Sequence, residues 1–271
     1  AIGLRRWDGC GGRREPRDMR EGAGPMDLKK QHDEDRAEVA ARFPGPDYRE
    51  ILALLHRLLQ PARYLEIGVN TGKSFALAKS PTRAVGVDPE PRVTRIDNPN
   101  ANLVKATSDA FFGELDRVRT NVTFDLVFID GLHTFEQTLR DLQNAERYSH
   151  PSTLICIDDI YPLHARAAQR QRDSIFWTGD VWKILPILHT YRPDLRMGVV
   201  PCVTSGLLLI AGVNPRSTRL AEAEDQYVAE YMDVPFTTAA HDQALGMLPH
   251  VPNTAAAVTA FLETAGLVTA P

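Results

Sequence analysis

The stretch from Arg63 to Ser74, RYLEIGVNTGKS, limits what this chain can fold into more than any other. The apolar residues Tyr64, Leu65 and Ile67 close on Gly68, and beyond Gly72 the residues Phe75 to Ala78 turn to helix formers. The pattern predicts strand, tight turn, helix. Two glycines at such a turn let the backbone approach a ligand, since neither carries a Cβ. A helix starting there would add free N–H groups and the positive end of its dipole. A phosphate-cradling P-loop needs one more residue between its glycines than Gly68-x-x-x-Gly72-Lys73-Ser74 provides. The dinucleotide fingerprint is missing too, because Asn70 stands where its second glycine should be. Glu66, two residues before the first glycine, would repel a triphosphate, so a nucleotide hydrolase is disfavoured. An ordinary strand-to-helix turn is the plain alternative.

The flanking segments fit an α/β alternation. Ile51, Leu52, Leu55, Leu58 and Leu59 recur at helical spacing, which predicts an amphipathic helix capped near Asp47 and ended by Pro61. Thr82 to Val87 reads as a second strand stopping at Asp88, and Pro89 and Pro91 forbid its continuation. Asp88 follows Glu66 by 22 residues, at the end of the next strand of a βαβ unit, where an acid can accept hydrogen bonds from both ribose hydroxyls. Ala101 to Ala106 reads as a third strand, and Thr107, Ser108 and Asp109 lead into a helix, with Thr107 or Ser108 as its cap. Thr123 to Asp130 and Thr153 to Ile157 are strands buried on both faces, each closing on acids: Asp130, then Asp158 and Asp159. Phe135, Leu139 and Leu142 stripe a helix between them.

Tyr161 to Thr178 is long and irregular, which fits a lid or substrate loop, with Phe176 and Trp177 either in it or in the core. A helix over Asp180 to His189 precedes two closely spaced strands, Arg196 to Val200 and Gly206 to Ala211, which must run antiparallel. The expected architecture is α/β: a Rossmann-like, doubly wound, mostly parallel seven-stranded sheet with the last strand antiparallel and helices on both faces. Residues 62–214 form the core in this reading, with a helical segment at 26–61 and a helical appendage at 215–271. Residues 1–25, arginine- and glycine-rich with no apolar segment, read as a disordered leader, and Met26 as the start of a shorter product.

A net charge of −4 gives no general attraction to nucleic acid or to an anionic membrane, and no run of apolar residues is long enough to span one. Cys10, Cys156 and Cys202 form neither a zinc spacing nor a disulfide framework, so a cytoplasmic setting is expected.

In an open parallel sheet, ligands bind beyond the carboxyl ends of the strands, and Gly68, Asp88, Asp130, Asp158 and Asp159 all fall on that edge. The E-x-G-x-x-x-G pattern from Glu66 to Gly72 resembles the first motif of class I S-adenosylmethionine-dependent methyltransferases. A carboxylate there suits a ligand carrying an ammonium and a sulfonium. Three carboxylates side by side in a cleft would be costly without a cation, and an oxygen-only set favours Mg²⁺ or a similar hard divalent ion. The sequence Asp130-Gly131-Leu132-His133, with Ile157-Asp158-Asp159, is similar to the metal site of the cation-dependent, catechol-type O-methyltransferases and closer still to antibiotic-pathway and sugar O-methyltransferases.

The resemblance covers about Tyr64 to Val213. It implies that Gly68, Asn70, Gly72 and Ser74 hold the methionine part of S-adenosylmethionine, with Glu66 orienting the site, Asp88 holding the ribose, and Ser108 and Asp109 bordering the adenine. Asp130, Asp158 and Asp159 would hold the metal, although the catechol enzymes commonly have asparagine in place of Asp159. His133 stands where those enzymes carry a basic lysine, and an imidazole near its ordinary pKa of about 6.5 is a suitable general base. His164 is the reserve. The tetrapeptide of nucleic-acid N-methyltransferases is absent. The expected activity is metal-assisted O-methylation of a small hydroxylated molecule, a sugar or aromatic moiety of a secondary metabolite, by a homo-oligomer. The alternative is a noncatalytic protein of the same fold that binds the cofactor or a partner.

Overall fold

The computed structural model describes residues 25–269, so residues 1–24 of the expected leader, Cys10 among them, lie outside the described residues. Helix α1 (Pro25–Arg42) precedes α2 (Tyr48–Leu59), which begins in a full capping box. Asp47 Oδ1 accepts from the N–H groups of Arg49 and Glu50 at 2.9 and 3.0 Å, and Glu50 Oε2 accepts from the Asp47 N–H at 2.9 Å. Such a cap is worth about 1 kcal/mol.

Seven strands follow: β1 (Arg63–Ile67), β2 (Arg83–Asp88), β3 (Ala101–Lys105), β4 (Leu126–Ile129), β5 (Leu154–Asp158), β6 (Arg196–Val200) and β7 (Leu207–Ala211). They form one sheet in the order β3-β2-β1-β4-β5-β7-β6. The first five are parallel, and β7, last in sequence, is antiparallel to both neighbours. It is inserted between β5 and β6, so β6 runs with the parallel strands and forms the edge. That edge is covered by residues 249–251, where Val199 donates to Pro249 O and accepts from Val251 N, both at 2.9 Å. From β1 the chain winds outward to β2 and β3, then returns to start β4 on the other side of β1. This reversal opens a crevice beyond the carboxyl ends of β1 and β4.

The unbroken apolar runs of β4, β5 and β7 follow from burial on both faces. On one face Ile67, Ile129 and Ile157 pack with α4 (Phe135–Arg147) and α5 (Ile184–Tyr191). On the other, Tyr64, Phe128 and Cys156 pack with α2 and α9 (Ala255–Thr264). Helices α6 (Arg219–Glu222), α7 (Glu224–Tyr231) and α8 (Thr238–Gly246) join the first cluster through Leu220, Tyr227 and Leu245, so the last third of the chain is seated on both faces of the sheet. The chain between β3 and β4 forms α3 (Ser108–Arg117), with Thr107 as its cap.

The helix expected after Gly72 does not form. Only a 3-10 turn, Phe75–Leu77, follows, and Ala78 is already extended at ψ 97°. The Asn98 side-chain amide donates to Ala78 O and Thr82 O, both at 2.9 Å, and so holds the segment open. The glycine turn therefore has no helix dipole behind it, and its Gly68, Asn70 and Gly72 N–H groups bond to Val87 O, Asp88 Oδ2 and Val69 O.

Candidate active site

A cleft of about 580 Å³ opens beyond the ends of β1, β2, β4 and β5. At one end lie Gly68, Asn70, Asp88, Ser108 and Asp109; at the other lie Asp130, His133, Asp158 and Asp159. Gly68 has φ +87°, and a Cβ there would meet the Asp130 carbonyl oxygen at 1.7 Å, so the turn after β1 and the end of β4 approach as closely as two backbones can. Asp88 is held by backbone donors: Asn70 N reaches Oδ2 at 2.8 Å and Glu90 N reaches Oδ1 at 2.7 Å. Gln137 of α4 donates to Ser108 Oγ and Asp109 Oδ1, both at 3.3 Å, and ties that end of the cleft to the helix.

Three residues of the expected cofactor set stand behind this surface rather than on it. Glu66 is fully buried, accepting from the Tyr64 hydroxyl at 2.6 Å and the Ser74 hydroxyl at 2.7 Å. Burial pushes its pKa up to about 8, against the lowering pull of those two bonds. It is thus a neutral acid bracing the turn, and the expected carboxylate facing a cationic ligand is corrected on that ground. Ser74 is spent on Glu66, and Gly72 faces Val93, whose Cγ2 lies 2.9 Å from where a Cβ would stand.

The acid end is more tightly organised than its sequence spacing revealed. Asp159 has φ +68°, a strained value for a residue with a Cβ, and its Oδ2 lies 2.9 Å from His133 Nδ1. Trp177 O is 3.1 Å from the same nitrogen; both oxygens are acceptors, so Nδ1 carries the hydrogen. Nε2 stands 3.5 Å from Asp130 Oδ1. Burial pulls the imidazole pKa down, but Asp159 and Asp130 outweigh it and hold the ring well above 6.5. His133 is therefore the cation of the cluster, and not the half-protonated base its ordinary pKa implied. Burial pushes Asp130 up to about 6, opposed by the His133 bond and aided by Asp159. Asp158 is raised further, by burial and then by Asp159 and Asp130, while its Oδ1 accepts from Ser205 Oγ at 3.0 Å and from the Asp159 N–H at 2.8 Å.

Ligand atoms of Asp130, His133 and Asp159 lie within 4.8 Å of one another, a span that one ion can bridge. This differs from the expected trio: His133 joins the group, while Asp158 borders the cleft with an oxygen committed to Ser205. Asp130 and Asp158, raised first by burial and then by neighbouring acids, are in the electrostatic condition that a divalent cation relieves, and their oxygens fit a hard one.

Tyr48, from the first turn of α2, and Thr204 and Ser205, from the β6–β7 turn, line the cleft without a signal in the sequence, whereas Arg172, Ile175 and Trp177 come from the irregular segment expected to form a lid or substrate loop. Trp177 stacks face to face on His133 with ring centroids 4.5 Å apart and planes 5° from parallel. His164 does not line the cleft; its Nε2 lies 3.2 Å from Asp35 of α1 and its Nδ1 accepts from Ala167 N at 3.0 Å.

Residues 65–160 match the family model described as a methyltransferase domain. No curated protein matches the chain. Among solved structures, a Klebsiella pneumoniae protein described as a candidate O-methyltransferase is 21% identical, with 71% of this chain and 91% of that chain covered and a TM-score of 0.48. The O-methyltransferase TomG of Streptomyces achromogenes, solved with S-adenosylmethionine, is 20% identical over 69% of this chain and 89% of its own, with a TM-score of 0.48. A Bacillus cereus O-methyltransferase solved with S-adenosylhomocysteine is 16% identical over 70% and 92%, with a TM-score of 0.46. Likeness at this level bears on neither the ligands nor the substrate of this chain. The family match runs from within β1 to just beyond β5, and so takes in the strands whose ends build the cleft.

Proposed function

We propose that this protein transfers the methyl group of S-adenosylmethionine to an oxygen of a small hydroxylated molecule, a sugar or an aromatic moiety of a secondary metabolite. In this reading Mg²⁺ or a similar divalent ion would be held by the carboxylates of Asp130 and Asp159, with Asp158 beside them. The observation that carries it is that the Gly68 turn and the acid–imidazole cluster share one cleft, with backbone contact between them. S-adenosylmethionine supplies a methyl on a sulfonium sulfur, and a bound cation acidifies the acceptor hydroxyl.

The chain's own groups do the rest. Asp88, fixed by two backbone N–H groups, presents its remaining lone pairs to the ribose hydroxyls, and Ser108, Asp109 and Gln137 border the adenine end. Gly68 and Asn70 hold the methionine end close to Asp130. His133, held in place by Asp159 and stacked on Trp177, is the group placed to take the hydroxyl proton, acting from its neutral form once the neighbouring carboxylates no longer hold it charged. The C–S bond breaks as the new O–C bond forms, and the thioether leaves neutral. Alignment of the two reactants in a cleft walled by Trp177 and Leu132 supplies the effective concentration. We place this activity in a cytoplasmic homo-oligomer; among the described residues no helix is long and apolar enough to cross a membrane.

Calorimetry of S-adenosylmethionine binding, with and without Mg²⁺, tests the assignment on wild type, Asp158→Ala and Asp159→Ala. Cofactor binding that persists while Mg²⁺ binding is lost in Asp159→Ala is the expected result. Failure of wild type to bind S-adenosylmethionine removes the proposal, and binding without methyl transfer to any catechol or sugar leaves the noncatalytic alternative in its place.

A further inference from the structure

The cleft has two chemically different ends and an apolar lip. Leu132 is 58% exposed and Ile175 37%, and both of these large apolar side chains border this one opening. Trp177 adds an aromatic wall, stacked on His133. Side chains left in water at the mouth of a polar site are accounted for when a planar or apolar ligand body covers them.

Three arginines follow one another in the segment before α5, and their fates differ. Arg166 pairs with Asp35 at 3.5 Å, and Arg170 bridges Glu136 and Asp180, the latter at 2.8 Å. Arg172 lines the cleft with its guanidinium exposed and, among the described residues, has no carboxylate within ion-pair distance. Its Cζ lies 6.0 Å from the Trp177 ring centroid. Trp177, centred 4.5 Å from the His133 ring, is thus a neighbour of both the imidazole and the guanidinium, which puts Arg172 and His133 at the same end of the cleft. Although the cleft is rich in acids, Arg172 is not spent on them, and a guanidinium matches a carboxylate with two parallel hydrogen bonds.

We infer that the acceptor is a hydroxylated aromatic acid: its ring lies against Trp177, Leu132 and Ile175, a ring hydroxyl reaches the Asp130–His133 end, and Arg172 holds its carboxylate. This rests on the methyl-transfer reading above and narrows it from hydroxylated molecules in general to anionic aromatic ones.

The test compares 3,4-dihydroxybenzoate with its methyl ester, which keeps both hydroxyls and the ring and removes the charge. Binding is measured by calorimetry on the full chain, in the presence of S-adenosylhomocysteine and Mg²⁺, for wild type, Arg172→Ala and Arg172→Lys. A charge-assisted pair at a partly exposed site predicts an acid bound about tenfold more tightly than the ester by wild type. The ratio should fall to near one in R172A and lie between in R172K. A wild-type ratio near one overturns the inference, as does failure of both compounds to bind. It is also overturned if R172A weakens S-adenosylhomocysteine binding while keeping the acid-to-ester ratio, since the guanidinium would then serve the carboxylate of the donor. Methyl transfer is assayed separately: an Arg172-dependent preference without turnover removes the methyl-transfer reading and leaves the anion subsite standing.

Discussion

Replacing Gly68 by alanine tests whether the β1 turn and the end of β4 act as one unit. The added Cβ would stand 1.7 Å from the Asp130 carbonyl oxygen, 2.3 Å from its carbon and 2.8 Å from Gly131 Cα. All three are backbone atoms, so no side-chain rotation relieves the contact. A Cβ at positive φ costs roughly 1–2 kcal/mol, and displacing packed neighbours adds about 1–3 kcal/mol. The expected loss is therefore about 2–5 kcal/mol, a large share of the roughly 5–15 kcal/mol that holds a typical domain together. The two segments must also separate, which draws the Asp130 carboxylate away from His133 Nε2, now 3.5 Å distant. Urea unfolding followed by tryptophan fluorescence measures the first effect, and calorimetry of S-adenosylmethionine and Mg²⁺ the second. Gly113→Ala is the control: it lies in α3 with nothing within 4 Å of the new Cβ, and should gain about 0.5–1 kcal/mol. A Gly68→Ala protein with the wild-type midpoint and unchanged affinities would refute the argument.

Arg192, with no exposed surface, donates to both Glu146 oxygens at 2.6 and 2.7 Å, so Arg192→Met strands a buried carboxylate and should cost about 3–5 kcal/mol. Adding Glu146→Leu should recover much of that loss in urea unfolding; equal costs for the single and double variants would contradict it. Glu66 keeps its proton up to about 8 when folded, against 4.5 for the free group, so the native state binds the extra proton between these values. Stability from this group is thus complete below about pH 4.5 and is lost as pH rises through about 8. Glu66→Gln should flatten the decline across that window in denaturation midpoints taken at stepped pH, and an unchanged slope would count against a buried neutral acid.

The parallel core was legible because its strands are buried on both faces, which forces runs such as Leu126–Ile129, and because each run ends in an acid or glycine. The line of acids on one edge followed from that alone, and it marked the cleft. What stayed hidden depends on side-chain direction and on distant segments. Glu66 has the right spacing for a ligand, yet it points into the core, where Tyr64 and Ser74 satisfy it. The helix after Gly72 was suggested by composition but lost to Asn98, a residue twenty positions further on that takes its carbonyls. Trp177 could be assigned to core or loop, and only the folded chain shows it stacked on the imidazole of His133. Helix α8 buries Ala244 and Leu245 together with a polar residue, His241, which packs among Tyr161, Trp182 and Phe236.

The insertion of β7 between β5 and β6 has a further consequence. Because β6 points the same way as the parallel strands, the hairpin bend joining it to β7 emerges beside the reactive acids, where Ser205 meets Asp158 and the Val203 carbonyl meets the Tyr48 amide at 2.7 Å. Each of the other strand ends at that rim leads into a connection that must cross back over the sheet. This bend alone returns directly, so its residues are exchangeable without rerouting any crossover, and selection for a new acceptor has a short, self-contained piece of backbone on which to act.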